Sequence, residues 1–223
     1  MPTELAAYLR SGINQVEGWC NPELWQLLEP IVAIQIHQQS PSAIAEIGVY
    51  HGKFFIGLAL SHPGGPHLAI DCFDDQQFNI DGAGIGHRET FLANCRTHGV
   101  PPEQVQVLQA NSLDLPKMLG SSLFSGLGMS AEGGRPFSIF SIDGCHTVEH
   151  THNDLLVACQ LTNLNHGVIL VDDYTNPDWP GVQEAVARFY LFGAPTFAPL
   201  AVTCNKLLLV PTGCHTPMLD ACT

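Results

Sequence analysis

The stretch that most limits what this chain can become is residues 43–60, AIAEIGVYHGKFFIGLAL. A short apolar run (Ile44, Ala45, Ile47) carries one acid, Glu46, and ends in two glycines, Gly48 and Gly52. Apolar residues at helical spacing (Phe54, Phe55, Leu58, Ala59) begin at once. That order predicts a buried strand, a tight turn and a helix start, where a nucleotide-like ligand can approach bare backbone. The spacing is Gly-x-x-x-Gly, not the Gly-x-Gly-x-x-Gly of dinucleotide sites. Gly52-Lys53 is followed by Phe54, so the hydroxyl of a phosphate-binding loop is missing.

Around this unit the chain alternates strands and helices. A helix is expected over 3–10. Asn21 and Pro22 then suit the cap and first position of a second helix, whose face carries Leu24, Leu27, Leu28, Ile31, Val32 and Ile36. Strands are expected over 43–47, 67–72, 105–110, 137–142 and 168–171, with helices over 52–60, 87–98, 114–119, 147–161 and 181–192. Runs 196–202 and 206–210 form a closing hairpin. Residues 73–86 are a polar, glycine-rich loop, and 120–134 read as a surface insertion. This gives an α/β fold with a mainly parallel sheet and helices on both faces. The division is an N-terminal helical lid segment (1–40), a core (41–212) and a C-terminal tail (213–223).

In an open parallel sheet, ligands bind outside the carboxyl ends of the strands. The expected strands end at Glu46 and Gly48, at Asp71, at Asn111-Ser112, at Asp143 with His146 nearby, and at Asp172-Asp173. Asp71 lies about twenty residues after the glycine turn, where a ribose-binding acid sits in nucleotide-binding folds. Asn111-Ser112 suits an adenine edge, or Ser112 simply caps a helix. Tyr50 and Lys53 lie in the turn, within reach of a ligand carboxylate or of solvent. Asp143, Asp172 and Asp173 would repel one another unless a cation joins them, and all-oxygen ligation suits Mg²⁺, with Mn²⁺ or Ca²⁺ as substitutes.

The acid-x-Gly-x-x-x-Gly turn resembles motif I of class I S-adenosylmethionine (SAM) methyltransferases. The metal-dependent O-methyltransferases of small molecules (catechol and caffeoyl-CoA types) place an Asp after strand four and an Asp-Asp or Asp-Asn pair after strand five. Ile142-Asp-Gly-Cys-His146, Asn153-Asp-Leu-Leu and Gly167-Val-Ile-Leu-Val-Asp-Asp-Tyr174 resemble the bacterial sugar and macrolide-glycoside members, as does Gly18-Trp19. The likeness runs from about Gly18 to Val210. It implies a Rossmann-like, seven-stranded sheet with an antiparallel last strand. It further implies SAM held by Glu46, Gly48, Tyr50, Gly52, Lys53, Asp71, Asn111, Ser112 and Asp143, and a divalent ion on Asp143, Asp172 and Asp173. The catechol type has lysine where His146 stands. His146 is therefore read as general base, with metal ligand or substrate orienter as alternatives.

The activity implied is metal-assisted O-methylation of a small polyhydroxylated molecule or glycoside. Asp74, Asp75, Gln77, Asn79 and Arg188 would line the acceptor side. A non-catalytic SAM- or nucleoside-binding module is the alternative. A metal-dependent hydrolase is a weaker one, resting on His146-Thr-Val-Glu-His150, which matches an inverted zinc-peptidase motif. His150 and His152 are otherwise expected to be solvated. A net charge of −13 with eight scattered basic residues argues against a nucleic-acid partner. No apolar run approaches the ~18 residues of a membrane span, and the N-terminus lacks a basic-then-apolar leader. A cytoplasmic protein is expected, with its eight cysteines as reduced thiols and a homodimer left open.

Overall fold

Runs of β-branched and aromatic residues that are buried on both sides make the central strands. In the computed structural model, which describes residues 1–118, 134–193 and 195–222, β1 (Ala43–Ile47), β4 (Phe137–Ile142) and β5 (Val168–Val171) have every residue buried. β2 (His67–Asp71) and β3 (Val105–Gln109) extend the sheet on one side, and β6 (Phe197–Thr203) and β7 (Lys206–Pro211) on the other. The order is β3-β2-β1-β4-β5-β7-β6. All pairs among β1 to β5 are parallel, and β7 runs antiparallel to both β5 and β6. The insertion expected over 120–134 lies almost wholly outside the described residues.

Alternate residues of each strand feed two cores. Ile44, Ile139, Val168 and Leu208 face α1 (Thr3–Arg10), α2 (Trp25–His37), α3 (Lys53–Ser61) and α4 (Arg88–Thr97). Ala45, Phe140, Ile169 and Leu209 face the other layer. That layer is built from α5 (Leu115–Met118), α6 (Val148–Leu161) and α7 (Pro180–Phe192). The period-two switch between faces is what a sheet covered on both sides requires. No helix among the described residues is long and apolar enough to cross a membrane. All eight cysteines are free thiols, and Cys214 and Cys222, in the expected C-terminal tail, are partly buried.

Two segments differ from the sequence expectation. Most of residues 1–40 packs as a layer against the core. Leu28 and Ile31 on α2 are fully buried, and the Tyr8 hydroxyl of α1 donates to the Lys53 carbonyl at 2.7 Å. α2 lies so close to α3 that a Cβ on Gly57 would come within 2.6 Å of the Trp25 ring. Its buried Gln35 amide donates to the carbonyls of Ser138 (2.9 Å) and His166 (2.7 Å), which ties the layer to β4 and the turn before β5. The expected tail instead forms α8 (His215–Cys222), packed on α2 and the β6–β7 hairpin. One apolar side chain, Met218, is fully buried there, too sparse a signal for periodicity to reveal. Met218→Ala should therefore lower unfolding free energy by about 2 kcal/mol or more in urea titrations; a loose tail would show no change.

Candidate active site

The glycine turn after β1 is shaped by close backbone contacts. Gly48 has φ +84°, and a Cβ there would lie 1.7 Å from the Asp143 carbonyl oxygen. Only glycine tolerates both the conformation and the approach. Its N–H donates to the Ile70 carbonyl at 2.8 Å, and the Asp143 N–H donates to the Ile47 carbonyl at 2.8 Å. Strands β1, β2 and β4 thus meet at one point of the rim. Tyr50 also has a positive φ, +48°, which aims its N–H at Asp71 Oδ2, 2.8 Å away. Asp71 Oδ1 accepts the Phe73 N–H at 2.6 Å. Burial raises the Asp71 carboxyl above its ordinary range, against the lowering effect of these N–H bonds.

A cleft of about 580 Å³ opens along this rim. Of the residues expected there, Gly48, Tyr50, Asp71, Asn111, Ser112, Asp143, His146, Asp172 and Asp173 line it. Three expected cofactor residues do not. Glu46 lies beneath the floor, 1 % exposed, accepting the Ser141 hydroxyl at 3.0 Å. Burial pushes its carboxyl up to about 8, the Lys206 charge and the Ser141 hydroxyl opposing. Gly52 caps α3 with φ +91°, and a Cβ there would press on the Phe91 ring at 2.9 Å, so its smallness serves packing. Lys53 turns away to donate to the Gly18 carbonyl at 2.9 Å. Of the acceptor-side polar set only Asn79 reaches the cleft; Asp74 pairs with His87 and Arg188 with Glu184, both on the exposed surface.

The acids of the rim are offset from inside the fold. Lys206, the first residue of β7, is buried with its ammonium bonded to Asp172 Oδ2, 4.0 Å from Asp143 Oδ2 and 4.8 Å from the Phe54 ring centre. Burial works to lower the Lys206 pKa, but Asp172 and Asp143 outweigh it and hold it above its ordinary value. Asp143 is pushed well up, by burial first and by the charge of Asp172 second. Asp172 is therefore engaged by Lys206, and the expected trio of Asp143, Asp172 and Asp173 is not the one brought together. Among the described residues, the group whose donor atoms converge, all within 4.8 Å of one another, is Asp143, His146 and Asp173.

His146 is the most constrained side chain of the cleft. Its Nδ1 lies 2.7 Å from Asp81 Oδ2, its Nε2 lies 2.9 Å from Asp173 Oδ2, and its ring stacks on Trp179 at 4.5 Å. Asp173, at φ +54°, is fixed by the Asn176 (2.9 Å) and Asn205 (2.6 Å) amides. Burial alone would lower the His146 pKa. The bonds to Asp173 and Asp81 and the charge of Asp143 prevail and raise it to about 9. His150 is not solvated: it is 3 % exposed, lines the cleft, and its Nδ1 lies 2.7 Å from the Thr147 hydroxyl. It does not join His146 in a ligand cluster among the described residues, which removes the basis for a zinc peptidase. Asp81, Lys206 and Asn205 were not singled out from the sequence.

The strand order with an antiparallel β7, and a cleft along the carboxyl rim bounded by the Gly48 turn and Asp71, define a class I SAM-dependent methyltransferase. Residues 45–174, more than half of the chain, match the family described as "Methyltransferase domain", and the protein belongs to it. Solved structures similar to it include the O-methyltransferase TomG of Streptomyces achromogenes, involved in tomaymycin synthesis and bound to SAM. The TM-score is 0.60 at 20 % identity, covering 96 % of this chain and 91 % of that one. An O-methyltransferase of Bacillus cereus in complex with S-adenosylhomocysteine (SAH) gives 0.57 at 17 %, covering 94 % and 90 %. CalS11, a TDP-rhamnose 3'-O-methyltransferase of calicheamicin biosynthesis, gives 0.53 at 16 %, covering 95 % and 94 %. A comparison with curated proteins finds no match.

Gly48→Ala should lower unfolding free energy by more than about 2 kcal/mol, since strain at positive φ adds to the clash with Asp143; thermal unfolding checks it. The His146 pKa is higher in the folded chain (about 9) than its ordinary 6.5. Its contribution is thus fully present below pH 6.5 and lost as pH rises through about 9, with an upper bound of about 3 kcal/mol. Urea titrations of wild type and His146→Gln should show the largest gap near about pH 6 and little near about pH 10.

Proposed function

We propose that this methyltransferase moves the methyl group of SAM to a hydroxyl of a small polyhydroxylated molecule or glycoside, with His146 as the base. The observation that carries this reading is the ring of His146, three residues beyond Asp143, fixed on both nitrogens and on one face at the wall opposite the cofactor turn. The solved relatives described as O-methyltransferases support transfer to oxygen, and CalS11 supports a sugar acceptor.

The residues present fit SAM. Gly48 and Tyr50 of the turn line the cleft with Asp71, Asn111 and Ser112, so Asp71 would meet a ribose diol and Asn111-Ser112 an adenine edge. SAM supplies the electrophilic methyl. This chain's residues align the acceptor oxygen with it and manage one proton, so the rate gain is mainly alignment and electrostatics. His146 is a cation near neutral pH, its pKa raised to about 9. It takes the hydroxyl proton on Nε2 only after releasing its own, and the rate should climb with pH toward that value.

A divalent cation belongs to the same proposal. Asp143, His146 and Asp173 offer one donor atom each. Five cleft acids (Asp71, Asp81, Asp143, Asp172, Asp173) face two interior bases (Lys206, His146), an excess of carboxyl groups that a cation would hold ionised. Asp143 and Asp173 would hold it, and such an ion lowers the pKa of a hydroxyl bound to it.

Calorimetry with SAH tests the cofactor assignment. Wild type should bind, and Asp71→Asn should weaken binding at least about tenfold through loss of a charge-assisted contact; equal affinities would refute the role of Asp71. Titration with Mn²⁺ followed by electron paramagnetic resonance should give one site per chain that Asp143→Asn removes. Absence of a site in wild type would leave methyl transfer to the side chains alone.

A further inference from the structure

Every Lys and Arg of the chain falls among the described residues, and of these eight only Lys206 lines the cleft. Lys206 is buried and bonded to Asp172. Lys53, beside the cofactor turn, is directed to the Gly18 carbonyl. The cleft histidines among the described residues add no free cation. Both His146 nitrogens face carboxylates, and His150 is buried against the Thr147 hydroxyl. Five acids line the same space. A phosphate or carboxylate group is normally met by a guanidinium or an ammonium. An anionic acceptor would here meet carboxylates instead, and like charges pressed together out of water repel strongly.

The lip of the cleft has a different character. Trp19 lines the cleft and is 76 % exposed, its ring 5.4 Å from that of Tyr50. Ile80 (64 % exposed) stands between Asn79 and Asp81, and Ile85 (53 % exposed) between Gly84 and Gly86, and these flanking residues all line the cleft. A Cβ on Gly84 would lie 3.6 Å from the Trp19 ring, so the loop tip that carries Ile85 sits against Trp19. Large apolar side chains left bare around a polar opening mark a surface that a ligand covers. A cleft of this volume suits one drug-sized molecule, and SAM takes a share of it. The reacting ring of an acceptor can enter beside SAM, and any larger remainder rests on the lip.

We infer that the acceptor is an uncharged glycoside, a sugar already joined to an apolar aglycone, and that Trp19, with Ile80 and Ile85, is the platform on which the aglycone rests. This rests on the reading of a sugar hydroxyl as acceptor given above, which the charge of the cleft and the character of its lip narrow. The activated form of a sugar, its nucleoside diphosphate ester, is a diphosphate anion with no large apolar group. It meets neither condition. The order of reactions follows: the sugar is transferred first and methylated afterwards. In the preceding glycosyl transfer the anomeric carbon breaks its bond to the diphosphate oxygen and bonds an aglycone oxygen. The nucleoside diphosphate leaves with the electron pair of the broken bond, and the aglycone hydroxyl gives up its proton.

The test is calorimetry on the full chain saturated with SAH in the presence of Mg²⁺. A panel of hexoses is titrated, each as the free sugar, as the hexyl glycoside and as the nucleoside diphosphate sugar. At least one hexyl glycoside should bind about tenfold or more tighter than its free sugar, and its nucleoside diphosphate form no tighter than the free sugar. Trp19→Ala should weaken that glycoside about tenfold, bringing it near the free sugar. Ile80→Ser combined with Ile85→Ser should weaken it about threefold, and serves if the Trp19 variant does not fold. A nucleoside diphosphate sugar that binds more tightly than the glycoside overturns the assignment. So does a panel in which no hexyl glycoside gains over its free sugar, or a glycoside affinity that neither variant changes. Methyl transfer from SAM to a nucleotide-linked sugar alone would also overturn it, yet leave O-methylation of a sugar standing. Glycoside binding that depends on Trp19, with methyl transfer to no sugar hydroxyl, would instead strike the activity and keep the platform.

Discussion

The cleft exists because one ammonium is buried where acids converge. Strands β4 and β5 deliver Asp143 and Asp172 to neighbouring positions, and a sheet core cannot hold both as bare anions. Lys206 resolves the conflict: its head contacts one carboxylate and lies near the second, and its charge also reaches Glu46 below the floor. Breaking such a buried pair by removing one partner typically costs about 3–5 kcal/mol, because the remaining charge is stranded. The interaction is therefore best seen as a condition for having acids at this rim at all, more than as a source of net stability.

Once that condition is met, the rest of the site follows from backbone geometry. The Gly48 turn lets β1 and β4 touch at the rim, which puts Asp143 on the near side of His146. Positive φ at Tyr50 and Asp173 turns one amide toward Asp71 and one carboxylate toward His146. Each such conformation is tolerated because several hydrogen bonds over-determine it. Asp173 alone receives two side-chain amides, from Asn176 and Asn205.

Much of the fold was legible because the central strands are buried on both faces and so appear as unbroken apolar runs. β1, β4 and β5 fall where the sequence places them, and the rule that ligands meet strand ends located Asp71, Asp143 and the Asp172-Asp173 pair. The same rule hid Lys206. β7 runs the other way, so the residue it brings to the rim is its first and not its last. Asp81 was hidden because loop 73–86 has no periodicity and its contact lies 65 positions away in the chain. Gly52 and Lys53 matched a motif by spacing, yet one packs on Phe91 and the other ties down the Gly18 segment. Spacing locates a turn but not the direction its side chains take.

The placement of Lys206 also bears on how a growing chain reaches this shape. Synthesis proceeds from the N-terminus, so Asp143, Asp172 and Asp173 leave the ribosome well before the residue that balances them. Until the β6–β7 hairpin arrives, Asp143 and Asp172 lack the Lys206 ammonium and Asp173 lacks the Asn205 amide. The first five strands can assemble their apolar faces during that interval, but the carboxyl rim stays electrostatically open. During synthesis the carboxyl rim therefore cannot complete its ion pairs and amide contacts until the closing hairpin is in place.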